Sequence, residues 1–182
     1  NKNDLYCNAG MYLVDLKKWR EEKVEDKIIK RIHEQNGNVF FFEQTLMNWS
    51  CSGKILQLPP KYNAYTLFWA FTYKNLICWR KPNAFYLESE VEEAKDNPII
   101  IHFTRNFYML SRPWIKGCDH PKTKEYVKYK LLTPWKQLEE DNRSKKSIRR
   151  YKLWHIIPQR ILAIGAGVIY NEVRPKLWWK NE

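Results

Sequence analysis

The sequence predicts an α/β chain in which helices flank a mixed sheet, followed by a basic helical tail. Three observations carry this. Apolar runs of strand length, at residues 7–16, 54–58 and 99–103, alternate with amphipathic stretches at 24–35, 42–50 and 86–96. Turn and breaker residues mark the joins, at Asn36-Gly37-Asn38, Pro59-Pro60 and Asn97-Pro98. With 182 residues, 44% hydrophobic and 15% aromatic, the chain has the apolar content to bury a core.

The elements follow in order. Residues 7–16 read as a strand, and Asp15-Leu16-Lys17-Lys18-Trp19-Arg20 opens a helix. Residues 24–35 place Ile28, Ile29 and Ile32 on one helical face, with Lys27, Lys30 and Arg31 outward. Residues 42–50 form a helix with Leu46 and Trp49 on one side, and 54–58 a short strand ended by Pro59-Pro60. The aromatic stretch 62–79 reads as a strand with an irregular loop. Residues 86–96 are a helix whose early turns hold Glu88, Glu90, Glu92 and Glu93, as the helix dipole favours. Residues 99–103 are a buried strand. Beyond them a helical segment is punctuated by Pro113, Pro121 and Pro134, and residues 139–146 form an exposed linker. The expected division is therefore 1–141 and a tail, 142–182.

Charge separates the same two parts. The net charge is +12, yet residues 142–182 carry ten Lys or Arg against two Glu, a net of +8, which leaves +4 for the first 141. A nucleic-acid partner is therefore not expected. No run of ~20 uncharged apolar residues occurs; the best, 156–173, is cut by Pro158, Arg160, Asn171 and Glu172. Residues 1–6 show no basic-then-apolar leader pattern. Cys7, Cys51, Cys78 and Cys118 have no C-x-x-C spacing and read as buried free thiols, in keeping with a reducing compartment.

Three segments carry candidate chemistry. Tyr6-Cys7-Asn8-Ala9-Gly10 runs into 11–20; Glu43-Gln44-Thr45-Leu46-Met47-Asn48 is followed by Gly53-Lys54-Ile55-Leu56-Gln57-Leu58-Pro59-Pro60-Lys61-Tyr62-Asn63; and Ile99-Ile100-Ile101-His102-Phe103-Thr104 precedes Arg112-Pro113-Trp114. Each also has a plain reading. Asn8-Ala9-Gly10 is a strand start with small residues, Glu43 a solvated acid at a helix N-terminus, and His102 a strand-end histidine. The rings of Tyr65, Phe68, Trp69, Phe71 and Tyr73 are core packing or a sugar-stacking surface.

In this order and spacing the segments resemble the second half of a family 8 glycosyltransferase. The family pattern is F-N-A-G, then D-Q-D-x-L-N with G-K-x-x-x-L-P-x-K-Y-N, then I-I-H-F-T-G and K-P-W. The resemblance covers about residues 1–135, through Trp114–Pro121 and the Tyr-rich stretch ending at Trp135. It implies the C-terminal part of a GT-A nucleotide-diphospho-sugar transferase fold, with the nucleotide-binding half preceding it. It implies retaining transfer of a hexose from a nucleotide-sugar donor to a glycan or lipid-linked acceptor in surface polysaccharide or lipopolysaccharide synthesis.

The resemblance also assigns residues. Asn8 and Ala9 contact the donor, Glu43 binds sugar hydroxyls and Gln44 supports the anomeric carbon. Pro60, Lys61 and Tyr62 border the acceptor side. His102 is a ligand of a divalent metal, usually manganese, whose other ligands come from a D-x-D pair; none occurs in these 182 residues, so the chain alone is expected to be inactive. The sequence departs from the pattern at four places. Glu43 and Thr45 replace acids of the D-Q-D, Arg105 stands where Gly is usual, and Arg112 replaces Lys before Pro-Trp, keeping a charge suited to the donor diphosphate.

The tail interleaves Arg149, Arg150, Lys152, Arg160, Arg174, Lys176 and Lys180 with Trp154, Ile156, Ile157, Ile161, Leu162, Ile164, Trp178 and Trp179. It reads as a peripheral anchor on an anionic membrane surface, on the cytoplasmic inner face of a bacterial membrane, or as helices packed on their own domain. The rival functional class is a non-catalytic carbohydrate-binding or membrane-associated module.

Overall fold

The computed structural model describes residues 6–80, 85–174 and 176, and divides into two units between Pro59 and Pro60. Trp178, Trp179 and Lys180 of the tail lie outside the described residues, as do positions 1–5 of the expected leaderless start.

In the first unit, α1 (Leu16–Glu21) starts at Asp15, whose carboxylate accepts the Lys17 and Lys18 N–H groups at 3.0 and 3.1 Å. The helix α2 (Val24–Glu34) ends in a left-handed Asn36 and Gly37. Gly37 N–H bonds Ile32 C=O at 2.8 Å and Asn36 N–H bonds His33 C=O at 3.0 Å, the paired closure that a turn signal after a helix predicts. The helix α3 (Phe42–Ser50) has the expected bounds. Its Leu46 is buried, while Trp49 stays partly exposed, 4.8 Å under the Arg31 guanidinium.

Two strands expected in this unit do not form. Residues 7–15 are irregular because side chains take the bonds a neighbouring strand would make. Asn48 Oδ1 accepts Cys7 N–H at 2.7 Å and Asn48 Nδ2 donates to Cys7 C=O at 2.8 Å. Residues 54–58 have no strand beside them among the described residues and leave Leu56 91% exposed.

The second unit holds the main core. A 3₁₀ turn (Pro60–Asn63) leads into β1 (Ala64–Tyr65), which pairs in parallel with β2 (Ile101–His102), Ala64 opposite Ile101. A parallel pair needs a crossover. Here α4 (Leu67–Ala70), α5 (Tyr73–Arg80) and α6 (Glu88–Asp96) supply it. The aromatic stretch 62–79 is thus mainly helical, in place of the expected strand and loop. It is the core: Phe68 and Leu76 are 1% exposed, and Phe71 and Trp79 3%. Each such side chain contributes about 1.5–3 kcal/mol by leaving water. The α6 N-terminus is closed by Glu90, whose carboxylate accepts Leu87 N–H at 2.7 Å. The strand expected at 99–103 shortens to two half-buried residues, and Ile99 is exposed.

Beyond β2 come α7 (Thr123–Lys130), α8 (Lys145–Ile156), capped by Ser144, and α9 (Gln159–Val168) with a π turn (Ile169–Val173). The expected linker is tethered at Asp141, whose N–H and C=O bond Trp114 C=O and Lys116 N–H at 2.8 and 2.9 Å. The tail is partly core: Ala163 is fully buried, and α9 lies along α5. Gln159 bridges Asn75 at 2.6 Å and Ala70 C=O at 2.9 Å, and Asn171 donates to Trp79 C=O at 3.0 Å. Trp154 packs edge-on to Phe107. No described helix is long and apolar enough to cross a membrane; α8 and the α9–π stretch reach that composition only as a pair bent by 114°. The four cysteines are unpaired, as expected, and half-buried.

Candidate functional site

The expected residues fall in both units. Asn8, Ala9, Glu43 and Gln44 belong to the first, and Pro60, Lys61, Tyr62, His102, Arg105 and Arg112 to the second.

In the first unit, Gln44 gathers the early segment. Its Oε1 accepts Asn8 Nδ2 at 3.1 Å and Ala9 N–H at 3.3 Å, filling both lone pairs and fixing the amide plane. Asn8 Oδ1 accepts Gly10 N–H at 2.8 Å, which makes the turn. Asn48, one helical turn beyond Gln44, holds Cys7 on both sides and donates to Gln44 C=O at 2.7 Å. Thr45, in the position of the second acid, donates to Phe40 C=O and lies 3.0 Å from the Tyr6 hydroxyl. The side chains at i, i+1 and i+4 of α3 therefore dock the 6–10 segment. Glu43 is exposed in the first turn of the same helix.

In the second unit, His102 is half-buried at the end of β2. Its Nδ1 lies 3.0 Å from Asn63 Oδ1, so that oxygen holds the Nδ1 proton and Nε2 is the nitrogen left for coordination. Burial lowers its pKa, so the ring is neutral at pH 7. Lys61 is engaged elsewhere. Its Nζ pairs with Glu93 at 2.9 Å, which raises its pKa, and its C=O accepts the Ile99 and Ile100 N–H groups. Pro60 is buried and Tyr62 half-buried.

The loop after Thr104 is held by its own polar side chains. Asn106 Oδ1 accepts Tyr108 and Met109 N–H at 2.8 and 2.7 Å, and Ser111 Oγ donates to Thr104 C=O at 2.7 Å. Asp119 Oδ1 accepts Leu110 N–H at 2.7 Å, and its Oδ2 accepts the Tyr151 hydroxyl at 2.8 Å. Arg105 and Arg112 line one cavity of about 290 Å³ in this loop, shared with the first turns of α8.

The sequence model of glycosyl transferase family 8 matches residues 1–116. The chain belongs to glycosyltransferase family 8. Lipopolysaccharide 1,2-glucosyltransferase of Escherichia coli K12 is 30% identical over 171 residues, covering 91% of this chain and 45% of that protein. At 91% coverage the match takes in much of the tail as well as the family 8 segments. General stress protein A of Bacillus subtilis is 26% identical over 132 residues, 71% of this chain and 42% of that protein. Glycosyltransferase GlyD of Streptococcus pneumoniae is 29% identical over 120 residues, 59% of this chain and 12% of that protein. The chain thus spans less than half the length of these relatives. No solved structure matches it.

Family 8 enzymes generally use a divalent metal. His102 fits one place in such a site: a neutral imidazole, its orientation set through Nδ1 by Asn63. It fits one place only, since the described residues contain no group of three His, Cys, Asp or Glu arranged to hold a metal ion.

Asn48 and Asn63 stand within the motifs, and the structure gives them positioning roles that the motifs alone do not assign. The signals were present. Asn48 sits four residues after Gln44 on one helix face, and Asn63 closes the Lys-Tyr-Asn run leading into β1. Arg143 and Arg150, which share the cavity with Arg105 and Arg112, carry no local signal, because in the sequence they are two among the ten basic residues of the tail.

Proposed function

We propose that this chain is the C-terminal half of a retaining hexosyltransferase with a GT-A fold. It moves a sugar from a nucleotide-sugar donor to a glycan or lipid-linked acceptor in surface polysaccharide or lipopolysaccharide synthesis. The observation that carries the reading is the meeting of Asn8, Ala9 and Gln44 in the first unit. Two segments that the family uses at the donor sugar are joined there by direct hydrogen bonds.

In this reading Glu43 accepts hydrogen bonds from donor-sugar hydroxyls, and the Gln44 amide, pre-oriented by Asn8 and Ala9, supports the face of the anomeric carbon where retention needs it. Arg105 and Arg112 neutralise the diphosphate as it departs. His102 supplies one nitrogen to the divalent metal, manganese in our assignment; when bound, the metal supplies Lewis-acid stabilisation of the leaving diphosphate. Lys61 and Tyr62 border the acceptor, with Lys61 held in place by Glu93.

The test is made in the enzyme that contains this chain. Gln44→Ala is expected to lower turnover at least tenfold while nucleotide-diphosphate affinity stays within about threefold; unchanged turnover refutes the placement. The 182-residue chain by itself is expected to release no nucleotide from a panel of sugar nucleotides with manganese, because it contains no D-x-D pair.

We also propose that the protein works at the inner face of the cell membrane. Leu153, Ile156, Ile161, Ile164 and Ile169 are exposed beside the basic residues of α8 and α9, an arrangement suited to peripheral contact with anionic lipid.

A further inference from the structure

Two of the tail's arginines border a cavity, Arg143 half-buried and Arg150 exposed. Arg143 and Arg150 line the same cavity as Arg105 and Arg112, together with Ser144 and Ser147 at the start of α8. No Asp or Glu lines it. Among the described residues none of the four arginines forms an ion pair, and Arg112 Nε and Arg143 Nε are buried without a hydrogen-bond partner. Leaving a donor of a charged group buried and unpaired is costly, so two in one cavity wall call for an acceptor. The helix repeats the demand. The first turn of α8 has no acidic residue and carries Lys145 and Lys146 against its own dipole.

We propose that this cavity is a phosphate-binding site built jointly by the loop after β2 and the tail, with Arg143 and Arg150 as binding residues. The ligand is a phosphate monoester or diphosphate. Guanidinium forks match phosphate oxygens, and four positive charges around one cavity suit a dianion better than a carboxylate. At about 290 Å³ the cavity lies at the lower end of the ~300–1,000 Å³ range of small-molecule pockets, the size of a phosphorylated fragment and not of a whole nucleotide sugar. The tail is then part of a binding site, and its positive charge is divided between that site and the surface. The proposal extends the donor reading of Arg105 and Arg112, and the experiment separates the two.

Calorimetric titration of the 182-residue chain with inorganic pyrophosphate tests it. Binding is expected, and Arg143→Ala/Arg150→Ala is expected to weaken it at least tenfold. Lys145→Ala/Lys146→Ala removes the same charge outside the cavity and is expected to change it less than threefold. If the Arg→Ala pair lowers the melting temperature, Arg143→Lys/Arg150→Lys decides, since it keeps the charge and loses the fork; a loss of at least threefold is expected. No pyrophosphate binding together with no binding to phosphatidic-acid vesicles overturns the proposal, as does an equal loss in the arginine and lysine pairs. Vesicle binding that depends on Arg143 and Arg150, without pyrophosphate binding, supports it and makes a lipid headgroup the source of the phosphate. Pyrophosphate binding that depends on these arginines, in an enzyme that binds no sugar nucleotide, supports the pocket and refutes the donor reading.

Discussion

The two glycines of α9 give a paired test of whether the tail is part of the folded domain. A methyl group added at Gly167 would meet Trp79 C=O at 2.9 Å, Cys78 C=O at 3.3 Å and Trp79 Cα at 3.4 Å. All three are backbone atoms of α5, so the neighbour cannot yield by changing a rotamer. Added bulk in a tight contact costs about 1–3 kcal/mol. At Gly165, in the same helix, the added methyl meets nothing within 4 Å. Both Gly→Ala changes gain the same helix propensity, about 0.8–1.0 kcal/mol. That gain cancels when the variants are compared, so their difference isolates the steric contact. Gly165→Ala is expected to be more stable than the parent by up to about 1 kcal/mol, and Gly167→Ala to lie about 1–3 kcal/mol below Gly165→Ala. Urea unfolding followed by circular dichroism, with equal slopes for the three proteins, measures this. Equal stabilities for the two variants would mean that α9 is not seated on α5 and that the tail is a free segment.

The remaining predictions concern titration, the metal ligand and the membrane. His120 is 2% exposed between Trp69 and Phe103, and burial lowers its pKa to about 4. The unfolded state therefore binds the extra proton first, and stability falls as pH drops from about 6.5 to 4, by about 3 kcal/mol from this group. His120→Gln should flatten that part of the urea-midpoint profile; an unchanged slope in the variant would clear His120 of the effect. In the enzyme containing this chain, His102→Ala should cut metal-dependent turnover and manganese affinity at least tenfold. The melting temperature should fall by only a few degrees, and near-normal manganese affinity would leave His102 a strand-end residue. Vesicle co-sedimentation should show binding of the 182-residue chain to anionic lipid that weakens with salt. A chain with Ile161, Ile164 and Ile169 changed to Ser should lose it, and equal binding by that variant rejects the membrane reading.

Where the sequence was legible, the determinants were local. Asp15 before Leu16, Asn36-Gly37 after α2, the glutamates opening α6 and the bounds of α3 all act within one turn of the residue that announces them. Where it misled, the decisive partner lay far along the chain. Residues 7–16 have the composition of a strand, and a strand is what they would be beside another. Asn48, more than 40 positions away, makes both bonds instead. The stretch 62–79 has the ring content of a β segment, yet its residues are needed on helices that carry the chain from β1 to the parallel β2. The tail is the clearest case. Its basic and apolar residues read as one amphipathic surface, but the fold divides them three ways. Leu162, Ala163 and Gly167 are buried, Arg143 and Arg150 line a cavity, and Ile161 and Ile164 remain exposed. Composition sums over these destinations and cannot separate them. The separation matters for function because only residues not engaged in the core or the cavity are free to meet a membrane. If Arg143 and Arg150 are held at the phosphate cavity, the charge that draws the protein to lipid must come from the others, such as Lys145, Lys146 and Arg149. Removing those residues should then weaken vesicle binding without touching pyrophosphate affinity.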